Sequence, residues 1–391
     1  MSSTDTQPPF VAIACGGTGG HLFPGLAVAE QLQKIGCSVG LLISPKEVDQ
    51  QAVRSVRGLE IFTLPAVGLQ NGNYFSFAHS FGKSFLAARK IFRRHRPDAV
   101  LAMGGFTSAP PILAATLSGA RTFLHESNTI PGKANRLAGR FVDAAFVSFP
   151  AAGSRLPARK IFVTGTPVRP QFQPRAASEC RAALGLAPEV PTILVVGGSQ
   201  GASGLNEMVL SVLPRLANKN WQWLHLTGIQ DFEKVKAGYA AHGLQAVVKK
   251  FVAEMDLALG AATVCLSRSG ASSLAEIAAL RLPSLLVPFP AAADNHQMTN
   301  ALAFEKTGAA QLLEQKNSPP EKIALRLTAL MADANLRSSM QAALGQWHTP
   351  RAAEQIAGII TQAILQPAKP ARMKAKKCRC GHAHGPAKPA H

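Results

Sequence analysis

One pattern constrains this chain more than any other, because it occurs twice. Phe10 to Cys15 (FVAIAC) is an apolar run that leads into Gly16-Gly17-Thr18-Gly19-Gly20-His21. Thr192 to Val196 (TILVV) leads in the same way into Gly197-Gly198-Ser199-Gln200-Gly201, and a helix-forming stretch follows each cluster. A short apolar run without alternation reads as a parallel strand buried on both faces. The spacing predicts helices from Pro24 to Ile35 and through Leu216. Further strands are expected at Ser38–Ile43, Ala99–Met103, Thr122–Leu124 and Ala144–Val147, with a helix over Glu47–Arg57. In the second half they are expected at Trp223–Thr227, Val247–Phe251, Thr263–Leu266 and Ser284–Val287. Strands alternating with helices define an α/β chain, here with two doubly wound parallel-sheet domains facing across a cleft. The expected division is a first domain over 8–167, a Pro-rich linker over 168–190 and a second domain over 191–349. Helix 350–366 would pack back on the first domain, and a basic tail covers 367–391.

With 47% apolar and 16% charged residues in 391, most of the chain is globular. The net charge of +19 favours anionic partners such as phosphorylated substrates, anionic lipid or nucleic acid. The tail holds seven of the Lys and Arg residues and no acid, yet the body remains basic without it. No apolar run is long enough for a membrane span, and MSSTDTQPPF lacks the regions of a signal peptide. Cys15, Cys37, Cys180 and Cys265 lie scattered in apolar or helical contexts, which suits reduced thiols. Cys378, Cys380, His382 and His384 match no usual structural zinc spacing, so the tail reads as solvated.

Neither glycine loop is a dinucleotide fingerprint. Counting from Gly17, G-x-G-x-x-G puts Leu22 where the last glycine belongs, and GGSQG fails as well. Gly82-Lys83-Ser84 resembles the end of a P-loop, but Phe77 stands where its first glycine belongs. What remains is two helix N-termini whose backbone N–H groups can meet an anion or a polar sugar, with Thr18 and Ser199 adding hydroxyls. Close packing of strand and helix is the competing reason for the glycines. A third strand runs into small residues over Cys265 to Glu276. There, Ser273 and Glu276 have capping-box spacing, while Glu276 could equally accept both hydroxyls of a ribose.

Seven segments together carry a resemblance. They are GGTGGHLFPGLAVA, MGGFTSAP, HESN, GTPVR, VVGGSQGA, SRSGASSLAEIAA and PFPAAADNHQMTNA, in this order from Gly16 to Ala301. The chain resembles the MurG family of peptidoglycan glycosyltransferases (glycosyltransferase family 28) over roughly Phe10 to Leu365. The resemblance implies a GT-B fold of two Rossmann-like domains, with UDP-N-acetylglucosamine as donor and lipid I as acceptor. Lipid I is undecaprenyl-diphosphoryl-N-acetylmuramoyl pentapeptide, and the product is lipid II. By matching position, Thr18, Gly19 and Gly20 would lie at the sugar or diphosphate. Asn128 would touch the sugar, and Arg169 and Ser199 would serve the diphosphate. Val252, in KFVAEM, would lie beside the uracil. Ala271, Ser272, Ser273, Leu274, Ala275 and Glu276 would span phosphate and ribose, and Gln297 would read the donor sugar. The family also implies a peripheral enzyme at the cytoplasmic face of the inner membrane, with cell-wall synthesis or division proteins as partners.

An α-linked donor and a β-linked product require one inverting displacement. Fixed N–H dipoles, Ser199 and Arg169 could stabilise the leaving UDP without a metal, and the chain has no D-x-D motif. No metal or other cofactor is therefore expected. His21 is the candidate base, because a helix N-terminus disfavours imidazolium. His125 and Glu126 are the competing candidates. Leu69 to Arg96 carries Tyr74, Phe75, Phe77, Phe81 and Phe85 and then Arg89, Lys90, Arg93, Arg94 and Arg96, which suits an anionic membrane surface or a core helix with a solvated face. Rival readings are another GT-B enzyme, either a glycolipid glycosyltransferase or a UDP-N-acetylglucosamine 2-epimerase, and a basic nucleic-acid-binding protein. No known nucleic-acid module is present, so no nucleic-acid partner is expected.

Overall fold

The computed structural model describes residues 7–53, 58–65, 74–198 and 201–366. The first half forms strands β1 (Phe10–Ala14), β2 (Ser38–Ile43), β3 (Glu60–Thr63), β4 (Ala99–Ala102), β5 (Arg121–Glu126), β6 (Ala144–Val147) and β7 (Ile161–Val163). They make one parallel sheet in the order β3-β2-β1-β4-β5-β6-β7. The second half forms β8 (Thr192–Val196), β9 (Gln222–Leu226), β10 (Ala246–Lys249), β11 (Val264–Ser267), β12 (Ser284–Leu286) and β13 (Gln311–Leu312). These also pair in parallel, in the order β10-β9-β8-β11-β12-β13.

Every residue of β1 and β8 is buried, as helices on both sheet faces require. Strand order reverses beside each of them. β2 and β4 flank β1, and β9 and β11 flank β8. The C-terminal ends of β1 and β8 are therefore topological switch points, where an open parallel sheet leaves a crevice. Both glycine loops start there.

Some expectations are corrected. The first helix is Gly19–Lys34, so it begins at the glycines themselves and contains Pro24. A proline in the second turn deprives only the carbonyl four residues earlier, that of Gly20, so the helix tolerates it. The helix expected over Glu47–Arg57 runs Glu47–Val53, and 54–57 lie outside the described residues. Strands β3, β7 and β13 were not expected. They are sheet edges of four residues or fewer and partly exposed, too short for their pattern to stand out.

Within 168–190, helix Ala177–Ala183 places Cys180 in the second core, beside Leu184 and Leu186. Helix Ala352–Leu365 returns to the first half. Its Ala353, Ile356, Ala357 and Ile360, spaced for one helical face, share a core with Leu22, Leu26 and Ala29 of helix Gly19–Lys34. The four scattered cysteines are buried and free. The tail and its Cys/His cluster lie outside the described residues. Among the described residues, no helix is long and apolar enough to cross a membrane.

Candidate active site

The first glycine loop is held from beneath. A Cβ on Gly16 would strike the backbone of Ile43 and Ser44, so only glycine lets the ends of β1 and β2 come together. The Gly17 N–H donates to Asp49 Oδ2 at 2.6 Å, and its carbonyl accepts from Lys46 Nζ at 3.1 Å. Buried Asp49 also accepts from the Ser44 amide and hydroxyl, and the Thr107 hydroxyl donates to the Gly16 carbonyl at 2.7 Å. Pinned in this way, the loop leaves Thr18 and Gly20 exposed on its outer side, while Gly19 is buried.

His21 is the third residue of helix Gly19–Lys34. Its imidazole lies against Gly104 and Gly105, whose φ angles are 110° and 76°, and a side chain on either would collide with the ring. MGGFTSAP is thus the wall behind His21. The ring Nδ1 lies 3.0 Å from Thr18 Oγ1. Burial lowers the imidazole to about 4; the Asp49 carboxylate opposes this and His296 of the second half adds to it. His21 is therefore neutral near pH 7, chiefly through loss of solvation.

The two competing candidates are occupied. His125 is fully buried. Its Nε2–H donates to the Gly165 carbonyl at 2.9 Å, and the Ser127 hydroxyl donates to Nδ1 at 3.2 Å. Glu126 closes β5 with four hydrogen bonds. One carboxylate oxygen accepts from the Asn128 amide and side chain, the other from the Gly132 amide and Asn135 Nδ2. That geometry makes Glu126 the anchor of the loop that follows it, with both carboxylate oxygens engaged.

In the second half, helix Ala271–Ala279 starts after Gly270, with no side-chain cap and no acid in its first turn. Ser273 is its third residue, so it cannot cap the helix and the capping-box alternative fails. The first N–H groups stay available to an anion. Ser272, Ser273 and Glu276 share one helical face; Ala271, Leu274 and Ala275 share the other. Burial raises the Glu276 carboxyl to about 7, against the pull of Arg169 and with help from Asp256. The Arg169 guanidinium lies over the Phe23 ring at 4.4 Å and the Phe172 ring at 5.3 Å. Its buried Nε has no partner among the described residues.

Gln297 spends its side-chain oxygen on the Phe289 amide at 2.9 Å, and its carbonyl accepts from Ser269 Oγ at 2.8 Å. The Val252 side chain packs into the second core, so a base beside it would meet backbone, next to the exposed Phe251. Ser199 lies outside the described residues.

The two halves touch at these residues. Ser272 Oγ donates to the Gly20 carbonyl at 2.7 Å. Asn300, fully buried, donates to Asn128 Oδ1 at 3.0 Å and to the Ser269 carbonyl, while its Oδ1 accepts from the Thr129 amide and hydroxyl. Arg136 pairs with Asp294 at 2.8 Å. The structure thus brings Thr18, Gly20, His21, Asn128, Arg169, Ser272 and Glu276 to one cleft. Sequence reasoning missed Asp49, Thr129, Asn300 and Arg268. Buried Arg268 donates to the carbonyls of Val287 and Pro288 and to Gln315, tying the ends of β11 and β12 to the segment after β13. Asn300 and Arg268 lie inside segments that carry the resemblance, whereas nothing marks Asp49.

Two doubly wound parallel sheets, each with a glycine turn at its switch point, meeting through Ser272–Gly20 and Asn300–Asn128, define the class: a GT-B fold. Residues 11–147 match the glycosyltransferase family 28 N-terminal domain and residues 192–356 its C-terminal domain. A relative from Anaeromyxobacter sp. (strain Fw109-5) is 36% identical over 90% of this chain and 93% of its own length. It is named UDP-N-acetylglucosamine--N-acetylmuramyl-(pentapeptide) pyrophosphoryl-undecaprenol N-acetylglucosamine transferase. A Lactiplantibacillus plantarum protein of the same name is 32% identical, over 90% of this chain and 99% of its own. The crystal structure of Acinetobacter baumannii MurG superposes with a TM-score of 0.72 at 30% identity, covering 91% of this chain and all of the other. A Listeria monocytogenes putative UDP-N-acetylglucosamine 2-epimerase, covering 91% of this chain and 96% of its own at 15% identity and TM-score 0.66, shares the fold. The chain belongs to the MurG family, glycosyltransferase family 28.

Proposed function

We propose that the chain transfers N-acetylglucosamine from UDP-N-acetylglucosamine to the C4 hydroxyl of the N-acetylmuramoyl sugar of lipid I, with inversion. The Ser272–Gly20 hydrogen bond carries this reading, because it sets the helix bearing His21 against the helix bearing Glu276. As the acceptor oxygen bonds to the anomeric carbon, the bond from that carbon to the diphosphate breaks. The acceptor proton passes to His21 and the negative charge to UDP. His21 can accept it at neutral pH because burial keeps it unprotonated. A tautomer with Nδ1–H donating to Thr18 leaves Nε2 as the basic atom.

The leaving diphosphate meets the uncapped N-terminus of helix Ala271–Ala279, together with Ser199 and the free Nε of Arg169. Glu276 accepts the ribose hydroxyls, Val252 lies at the uracil, and Asn128 and Gln297 read the donor sugar. Glu126 holds the Asn128 loop.

The acceptor is reached from the inner face of the membrane. Helix Tyr74–His95 buries Ser84, Ala88 and Phe92 and exposes Phe75 with Arg89, Lys90, Arg93 and Arg94, a surface suited to anionic headgroups. Transfer of labelled N-acetylglucosamine to purified lipid I, in excess chelator, tests the function. Epimerisation of the donor without acceptor, or turnover that needs magnesium, would overturn the reading.

A further inference from the structure

Behind helix Ala271–Ala279, on the side away from Glu276, lies a cavity of about 330 Å³ between the two halves. Its walls are Phe149, Phe304 and Trp347, the back-face residues Ala271, Leu274 and Ala275, and two chain crossings, Val163–Thr166 and Gln346 with Thr349. Phe304 and Trp347 stack at 4.4 Å, and Phe149 leans on Trp347 at 5.4 Å. No charged side chain lines it, and much of its polar lining is already engaged. Ser148 and Thr166 bond to each other at 2.6 Å, Trp347 Nε1 donates to Thr307, and the Thr164 hydroxyl donates to the Gly165 carbonyl. Phe149 and Phe304 are themselves nearly buried, so partly exposed Trp347 is the aromatic surface open to an occupant; such a cavity disfavours a nucleotide's charge and suits an uncharged, apolar molecule, at the lower end of the size range of ligand pockets.

We propose that this cavity is a second ligand site, for a neutral aromatic molecule, and that its occupancy sets how the two halves close on the donor. Two connections lead out of it. The helix that forms one wall presents Ser272 and Glu276 to the cleft from its opposite face. The other wall includes Gly165, which is pressed by the Thr349 side chain where the two crossings meet. The Gly165 carbonyl accepts from buried His125, and Glu126, next in sequence, holds the Asn128 loop. A molecule filling the cavity therefore touches both halves, and on each it touches the back of an element whose other side reaches the cleft, as a coupling site must. The coupling rests on the donor reading above; the binding does not.

The test uses the full chain and N-phenyl-1-naphthylamine, a neutral fluorescent aromatic. Saturable binding at one site per chain is expected. It should weaken by about tenfold or more in Val163→Trp, which fills the mouth from a residue 58% exposed and so tolerant of bulk, and likewise in Trp347→Ala. Saturating probe should change the affinity for UDP by a finite factor of about fivefold or more. Absence of saturable binding, or undiminished binding in both variants, overturns the site. Displacement by UDP that grows without limit places the probe in the donor cleft and also overturns it. Binding that leaves UDP affinity unchanged overturns the coupling, whatever the transferase assay gives.

Discussion

Ser272 of the second half donates its hydroxyl to the Gly20 carbonyl of the first at 2.7 Å, and Pro24 makes that carbonyl available. In an uninterrupted helix, the amide of residue 24 would take it; proline has none. Pro24→Ala therefore supplies a competing donor. It should raise thermal stability while weakening closure, because alanine is far the better helix former. Ser272→Ala should weaken closure without that gain. Small-angle scattering of the unliganded variants measures this, and two radii equal to the wild type's would break the link.

His21 sits at about 4 because its half-buried ring is desolvated against Gly104 and Gly105. The base is therefore in its working form above that value and is lost only as pH falls through it. At saturating donor, where the Glu276 titration does not enter, the acid limb of kcat assigned to His21 should lie near 4 instead of the ordinary histidine range. His21→Ala should lower kcat by about 100-fold or more, the usual share of a general base. Near-full turnover in that variant would remove His21 from the chemistry.

Glu276 carries the opposite displacement, up to about 7. Ribose hydroxyls donate to the carboxylate, so donor binding favours its ionised form. Donor KM should be constant above that pH and rise by up to about tenfold per unit below it. Glu276→Gln should raise KM and flatten its pH dependence between 5 and 8, which donor titrations by calorimetry can check. A variant that keeps the wild-type slope would transfer the titration to another group.

Asn300 uses all its hydrogen-bonding atoms at the contact between halves. Asn300→Ala leaves the Thr129 amide and the Ser269 carbonyl buried without this partner, at about 1–3 kcal/mol. Glu126→Gln turns one acceptor oxygen into a donor facing N–H groups and should cost a similar amount. Both losses are to be read by denaturant titration. For Glu126→Gln, a large loss of kcat with unchanged stability would restore it as a chemical group.

Phe75 is 92% exposed at the start of helix Tyr74–His95, whose last turn carries Arg93, Arg94 and His95. Charge reversal at Arg89, Lys90 and Arg93 should abolish co-sedimentation with anionic vesicles at low salt. Phe75→Ser should weaken it at any salt. Binding indifferent to lipid charge would mean that the helix serves something other than the membrane.

Much of this was legible in residue order, and the reason is local. An apolar run such as Thr192–Val196, too short for a helix and followed by glycines, reads as a doubly covered strand ending in a tight turn, so two parallel-sheet domains follow from residue order, whereas the switch points needed the strand order. The partners of those loops were not legible, because hydrogen bonds across long sequence separations leave no local mark. Nothing near Asp49 announces that it holds Gly17, nor does Ser273 announce that its helix begins at Ala271 and thereby frees Glu276 from capping. His21 keeps the place it was expected to have at a helix N-terminus. Its neutrality, however, comes from the wall of Gly104 and Gly105, a contact made only when the end of β4 is laid beside the end of β1.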